Sequence, residues 1–112
     1  MGRLSEALRE EIATIIEGEL EDPRIGLATV SEVQMASDGR SAQVFVSVSG
    51  DDEEAQRTLE GLTAARNYIR REVADRLRLR AAPELYFRLD KSEQYESRIN
   101  ELLRRVSGKK KA

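Results

Sequence analysis

Apolar residues recur every three or four positions over the first twenty residues of the chain, which is the spacing of an amphipathic helix. The apolar stripe consists of Leu4, Leu8, Ile12, Ile15, Ile16 and Leu20. Asp22-Pro23 ends the stripe, because the residue before a proline is disfavoured in the helical conformation. The pattern therefore predicts an opening helix that buries one face.

Alternating apolar and polar positions follow, as expected for strands. Over residues 27–35 the odd-numbered positions form one face, although imperfectly, and they are Leu27, Thr29, Val33 and Met35. Over residues 41–48 the alternation is regular, with Ala42, Val44, Val46 and Val48 on the inner face and Gln43 and Ser47 pointing outward. Residues 37–40, Ser-Asp-Gly-Arg, have the composition of a turn. We predict an antiparallel hairpin.

The second half of the chain predicts two helices, a strand and a last helix. Four acids at residues 51–54 suit a helix N-terminus, where carboxylates accept hydrogen bonds from free amides and oppose the macrodipole. The apolar stripe that follows is interrupted at Arg66-Asn67 and resumes at Ile69, which indicates a kink between two helices. Pro83 precedes an alternating strand over residues 85–89.

Asp90 and Glu93 resemble a capping box at the start of the last helix. Its predicted buried side is formed by Tyr95, Ile99, Leu102 and Val106. Residues 1–107 then make a single domain, and residues 108–112 a flexible basic tail. Helices and strands in this order predict an α+β fold with a small sheet covered on one face.

The composition argues against most kinds of catalytic site. The chain has 112 residues, the length of one domain, with no Cys and no His. Disulfides, thiol nucleophiles and the commonest general base are therefore excluded, and no catalytic or metal-binding motif is present. We expect no enzymatic activity, no cofactor and no metal. Without a membrane-spanning run or the apolar core of a signal peptide, we expect a cytoplasmic protein.

The net charge of −2 conceals two halves of opposite sign. Residues 1–63 hold five arginines against fourteen acids, whereas residues 64–112 hold fourteen basic residues against seven acids. Because affinity for nucleic acid follows a local patch rather than the total charge, the second half is the candidate interface. Six arginines cluster there within fifteen residues: Arg66, Arg70, Arg71, Arg76, Arg78 and Arg80. The alternative interpretation is a solvated helix face.

Six short segments stand in a fixed order along the chain. They read EDPRI at 21–25, AQVFVSV at 42–48, ARNYIRR at 65–71, LRLR at 77–80, PELYF at 83–87 and DKS at 90–92. In this order and with these gaps they resemble the ribosome-binding factor A family, and the similarity covers about residues 4–103. The resemblance implies a type II KH-like domain with an added C-terminal helix.

In that family an Ala-x-Gly kink replaces the Gly-x-x-Gly loop with which other KH domains grip nucleic acid. The kink corresponds to Ala65-Arg66-Asn67, so that Asn stands at the glycine position. Asn tolerates the left-handed conformation better than other non-glycine residues, and we expect the kink to survive.

The resemblance also implies a non-catalytic assembly factor that binds the small (30S) ribosomal subunit. It would aid late maturation and 5′-end processing of 16S rRNA and would be linked to growth in the cold. The implied partner is 16S rRNA within the small subunit, with small-subunit proteins and an assembly GTPase as further candidates. We expect a monomer with no membrane partner.

The predicted RNA contacts are Arg66, Asn67, Arg70, Arg71, Arg76, Arg78 and Arg80, with Arg70 and Arg71 foremost. Arg24 either contacts a phosphate or forms an ion pair that fixes its loop. Two other functions stay open, a protein-interaction module whose acidic half docks a basic partner and a hydrolase with paired carboxylates. A steep salt dependence of binding to rRNA separates the first function from the second.

Overall fold

The computed structural model describes residues 2–90 and 102–103 of the chain. The elements are, in order, α1 (Gly2–Gly18), β1 (Ala28–Met35), β2 (Ser41–Val48), α2 (Asp52–Ala64), α3 (Arg66–Arg76) and β3 (Glu84–Leu89). The predicted order of elements is therefore confirmed as far as Leu89. No helix among the described residues combines the length and hydropathy needed to cross a bilayer.

Most of the predicted last helix lies outside the described residues, which include only Asp90, Leu102 and Leu103 of it. The predicted basic tail at residues 108–112 also lies outside them. Leu102 and Leu103 are helical, and both side chains are exposed. The prediction that Leu102 is buried is wrong, because half of its surface is accessible to solvent.

The three strands form one sheet in the order β1-β2-β3. β1 and β2 pair antiparallel as predicted, whereas β2 and β3 pair parallel, with Val44 opposite both Val33 and Phe87. A parallel pair needs a long crossover, and α2 with α3 supplies it. Along β3 the side chains of Leu85 and Phe87 are buried while Tyr86 and Arg88 are exposed. Within the described part of the chain, α1, α2 and α3 therefore cover one face of the sheet and the other face is open.

A β-bulge at Ser31 explains the imperfect alternation in β1. Val30 pairs with Val46 and Glu32 with Phe45, so Ser31 has no counterpart on β2. A bulge shifts the pleat by one residue, and the buried residues accordingly change from even-numbered Val30 to odd-numbered Val33. The expectation that Leu27 and Thr29 share one face with Val33 is therefore wrong, since both are exposed and Leu27 keeps 80% of its surface accessible.

The core lies between the covered face of the sheet and the three helices. Most of the predicted stripe of α1 is buried, while Leu4 stays exposed and Leu20 is partly buried. The fully buried core side chains include Leu8, Ile12, Ile15, Val44, Val46, Leu62, Ile69, Val73 and Leu85. The Asp51 carboxylate caps α2 by accepting a hydrogen bond from the Glu54 N–H at 2.8 Å, as the acidic run predicted.

The loop between α1 and β1 is fixed on α2 by two contacts. Thr58 is the one buried polar residue of the described part, and its hydroxyl accepts a hydrogen bond from the Gly26 N–H at 3.1 Å. Gly61 lets Ile25 approach the helix, because a Cβ at residue 61 would lie 2.7 Å from Ile25 Cγ1. The loop is thus part of the rigid fold.

Candidate nucleic-acid interface

The break between α2 and α3 consists of the single residue Ala65. Its backbone, at φ −86° and ψ 0°, leaves the helical region, while its N–H donates to the Gly61 and Leu62 carbonyls and its carbonyl accepts from the Ile69 N–H. Arg66 and Asn67, the other two residues of the predicted kink, lie in the first turn of α3. The change in ψ at Ala65 bends the chain, so the bend needs no residue with the positive φ that favours glycine.

The expectation of a left-handed Asn67 is therefore wrong. Asn67 is exposed on the first turn of α3, and its φ is negative. Arg66 beside it is half-buried, and its Nε is buried without a hydrogen-bond partner in the part of the chain that the structure describes. A contact between Arg66 and RNA would therefore use its terminal nitrogens.

Arg70 braces α3 against the start of β3. Its Nε donates to the Pro83 carbonyl and its Nη2 donates to the Ala82 carbonyl, both at 3.0 Å, while Nη1 lies 3.3 Å from the Glu84 carboxylate. The planar fork of donors suits this set of acceptors. Arg70, one of the two foremost predicted RNA contacts, thus has partners within the fold, and sequence reasoning missed them because they are mostly backbone carbonyls.

Arg76 joins α3 to α1. Its two terminal nitrogens donate to the two Glu19 carboxylate oxygens at 2.5 and 2.8 Å, and Nη2 also donates to Glu72 at 3.1 Å. A Glu11 oxygen lies 3.7 Å from Arg76 Nη1. The hydrogen bonds from Arg76 hold the pKa of Glu19 below its ordinary value. Arg76 is thus paired with carboxylates within the fold, and its contact with RNA stays a prediction.

Arg24 forms the ion pair that was one of its two predicted roles. Its Nε and Nη2 both donate to the Asp22 carboxylate, the shorter contact being 2.7 Å. These bonds, with the Arg24 N–H bond to the same carboxylate, lower the pKa of Asp22. The pair fixes the turn after α1. Among the aromatic side chains, Phe87 lies in the core and Tyr68 is 40% exposed.

The three remaining arginines surround an open groove between α3 and the segment that leads to β3. We name this the arginine groove, lined by Arg71, Arg78 and Arg80 with Ala74, Ala81 and Ala82. The part of the groove near the kink, here the kink-side part, is also lined by Asn67 and Arg70. The part near the C-terminal cap of α3, here the cap-side part, is also lined by Asp75 and Leu79. All three arginines are exposed, and none forms an ion pair with a described residue.

A Schellman motif at the end of α3 shapes the cap-side part of the groove. The Leu79 N–H donates to the Ala74 carbonyl at 2.8 Å and the Arg78 N–H donates to the Asp75 carbonyl at 3.3 Å. Arg78 occupies the position after the helix at which glycine is usual, with φ 54°. Leu79 packs against the core and turns the chain back along α3. No glycine in this part of the sequence signals the turn, and sequence reasoning also missed the three alanines of the groove.

The comparisons with known proteins agree with the fold and with the predicted resemblance. The sequence matches the model of the family described as ribosome-binding factor A over residues 1–103. The chain belongs to the ribosome-binding factor A family. The ribosome-binding factor A of Koribacter versatilis is 64% identical over 110 residues, which are 98% of this chain and 89% of that protein.

Solved structures of ribosome-binding factor A share the KH-like α+β fold. The crystal structure of the protein from Thermus thermophilus matches with a TM-score of 0.73 and 30% identity, over 81% of this chain and 96% of that one. A homology model of the Thermus thermophilus protein, fitted into a cryo-EM map of its complex with 30S, matches with a TM-score of 0.59 and 34% identity over 81% of this chain and 91% of that one. The predicted family and fold class are confirmed.

Proposed function

We propose that this protein binds the small ribosomal subunit through 16S rRNA and acts there as a non-catalytic assembly factor. The observation that carries the proposal is the arginine groove, where three exposed arginines converge without a carboxylate partner among the described residues. Membership of a family of ribosome-binding factors, one of which was fitted into a map of a 30S complex, supports the choice of partner.

The lining of the groove suits the RNA backbone rather than the bases. Guanidinium groups bind phosphate oxygens in pairs, and the small side chains of Ala74, Ala81 and Ala82 leave room for a strand to come close. The described lining holds no aromatic ring on which a base would stack. Contacts of this kind fix the position of RNA without reading its sequence, so specificity comes from the shape of the rRNA.

The proposed role in assembly of the small subunit is to hold the rRNA in one conformation. We propose that the protein steadies 16S rRNA during late maturation, including the processing of its 5′ end, and that other factors carry out the cleavage. The sequence has neither His nor Cys with which to assist such a reaction. The proposal includes action in the cytoplasm as a monomer, support of growth in the cold, contacts with small-subunit proteins and cooperation with an assembly GTPase.

Co-sedimentation of the full chain with purified 30S subunits, and in parallel with intact ribosomes, tests the proposal. We expect the protein to pellet with free 30S subunits, with an affinity that falls steeply with salt. The double variant Arg71→Glu, Arg80→Glu should lose binding while its circular dichroism spectrum is unchanged, because both side chains are exposed.

Arg88→Glu is a control that reverses one charge elsewhere, since Arg88 is exposed on the face of the sheet opposite to α1, α2 and α3. It should leave binding close to that of the wild type. The proposal is wrong if the wild-type chain stays in the supernatant, or if the double variant pellets as well as the wild type does.

A further inference from the structure

The backbone of Arg78 is in the left-handed conformation, which is strained for a residue that has a side chain. Among the described residues it is the one non-glycine residue with positive φ, at 54°. A β-carbon is strained in this region, which is why glycine is common after helices. The fold does use glycine at other turns with positive φ, namely Gly39 and Gly50. An arginine at residue 78 therefore has a cost that glycine would avoid.

The side chain of Arg78 forms no hydrogen bond or ion pair with a described residue that would offset this cost. It is exposed, it forms no ion pair with any described residue, and it lines the cap-side part of the arginine groove. Asp75, the one acid lining that part, makes no salt bridge with it. Arg71 and Arg80 line both parts of the groove, so Arg78 adds a third cation to the cap-side part alone.

We propose that Arg78 binds a backbone phosphate of RNA at the cap-side part of the arginine groove, and that the left-handed cap holds it there. The inference rests on the proposed function, since it assigns a ligand to one residue of the same groove. The two hydrogen bonds of the Schellman motif fix the direction of the Cα–Cβ bond. A guanidinium that starts from a fixed backbone loses less conformational freedom when it binds.

The structural alternative is that Arg78 only favours the helix, as a cation near the C-terminal end of the macrodipole. The two interpretations predict different effects of Arg78→Gly on binding. Glycine relieves the backbone strain in either case and should raise the midpoint of thermal unfolding by a few degrees. If Arg78 only served the helix, RNA binding would be unchanged, whereas if Arg78 binds phosphate, binding weakens.

The experiment compares the full-length wild type with Arg78→Gly and Arg78→Asn, using purified 30S subunits at several salt concentrations between about 50 and 200 mM. Each phosphate contact contributes about 0.7–0.9 to the slope of log affinity against log salt, a factor of about three over this range. For both variants the slope of log affinity against log salt should be shallower than that of the wild type by about the contribution of one phosphate contact. Asn tolerates the left-handed region and removes the charge, so it controls for the flexibility of glycine.

Arg88→Gln removes the same charge on the open face of the sheet and should keep the wild-type slope. The inference is overturned if Arg78→Gly binds with the wild-type slope, or if Arg88→Gln lowers the slope equally. In both cases, a steep slope of log affinity against log salt for the wild type would still support the proposed function. A wild type that does not bind 30S subunits would overturn the function and this inference together.

Discussion

The Nε of Arg70 donates a hydrogen bond to the Pro83 carbonyl at 3.0 Å, which ties the middle of α3 to the residue before β3. Its neighbour Arg71 is exposed and lines the arginine groove. Two adjacent arginines of one helix therefore have different roles, one within the fold and one at its surface. The brace also positions the segment that forms the far wall of the groove.

Arg70→Gln should destabilise the protein, because glutamine is too short to reach the Pro83 and Ala82 carbonyls together. We expect a loss of about 1–2 kcal/mol in the free energy of unfolding, by the usual net value of two hydrogen bonds. Urea titration followed by circular dichroism measures it. Arg71→Gln is the control and should change stability by less than about 0.5 kcal/mol. Equal stability of the two variants would contradict the brace.

Asn67 should behave as an ordinary helical residue. Because it lies in the first turn of α3 with negative φ, Asn67→Ala should raise the free energy of unfolding by about 0.5 kcal/mol and Asn67→Gly should lower it slightly. A left-handed residue would give the reverse order, with glycine the more stable. Thermal unfolding of the two variants beside the wild type distinguishes these cases.

Gly61→Ala should destabilise the domain although alanine favours helices. The added Cβ would lie 2.7 Å from Ile25 Cγ1 and 3.3 Å from Arg24 Cβ, so the loop must shift. Overpacking of this kind typically costs about 1–3 kcal/mol, more than the roughly 1 kcal/mol gained from helix propensity. Gly18→Ala is the matched control, since beyond its chain neighbours and its own helix backbone no atom lies within 4 Å of its Cβ position, and it should not destabilise. A stable Gly61→Ala would show that Ile25 moves freely.

The pair of Glu19 and Arg76 should make stability depend on pH in the acid range. The folded state lowers the pKa of Glu19 from its ordinary value of 4.5, so the contribution of the pair is present above that pH and is lost as the pH falls through the lowered pKa. Glu19→Gln should therefore be less stable than the wild type at neutral pH, and the difference should shrink in acid. Glu10→Gln is the control, since it removes a carboxylate at an exposed position of α1 that forms no salt bridge with a described residue. Urea titrations at neutral and acid pH measure the difference.

The helices and strands could be predicted from the sequence more fully than the partners of the arginine side chains. Periodicity located α1, β2 and the break near Ala65, because burial alone decides such patterns. The bulge at Ser31 was not predicted, since it depends on how β1 pairs with β2. Arg70 is held by backbone carbonyls and Arg76 by a carboxylate 57 residues away, and neither arrangement leaves a local signal.

The parallel pairing of β2 with β3 has a consequence for the growing chain. β1 and β2 are neighbours in sequence, but β3 joins them only after both crossover helices have been made. One wall of the arginine groove is α3, and the other is the segment that β3 and Arg70 hold in place. A nascent chain that has not reached β3 thus carries the arginines of α3 without a groove. The proposed contact with RNA needs both walls, so it becomes possible only when the sheet is complete.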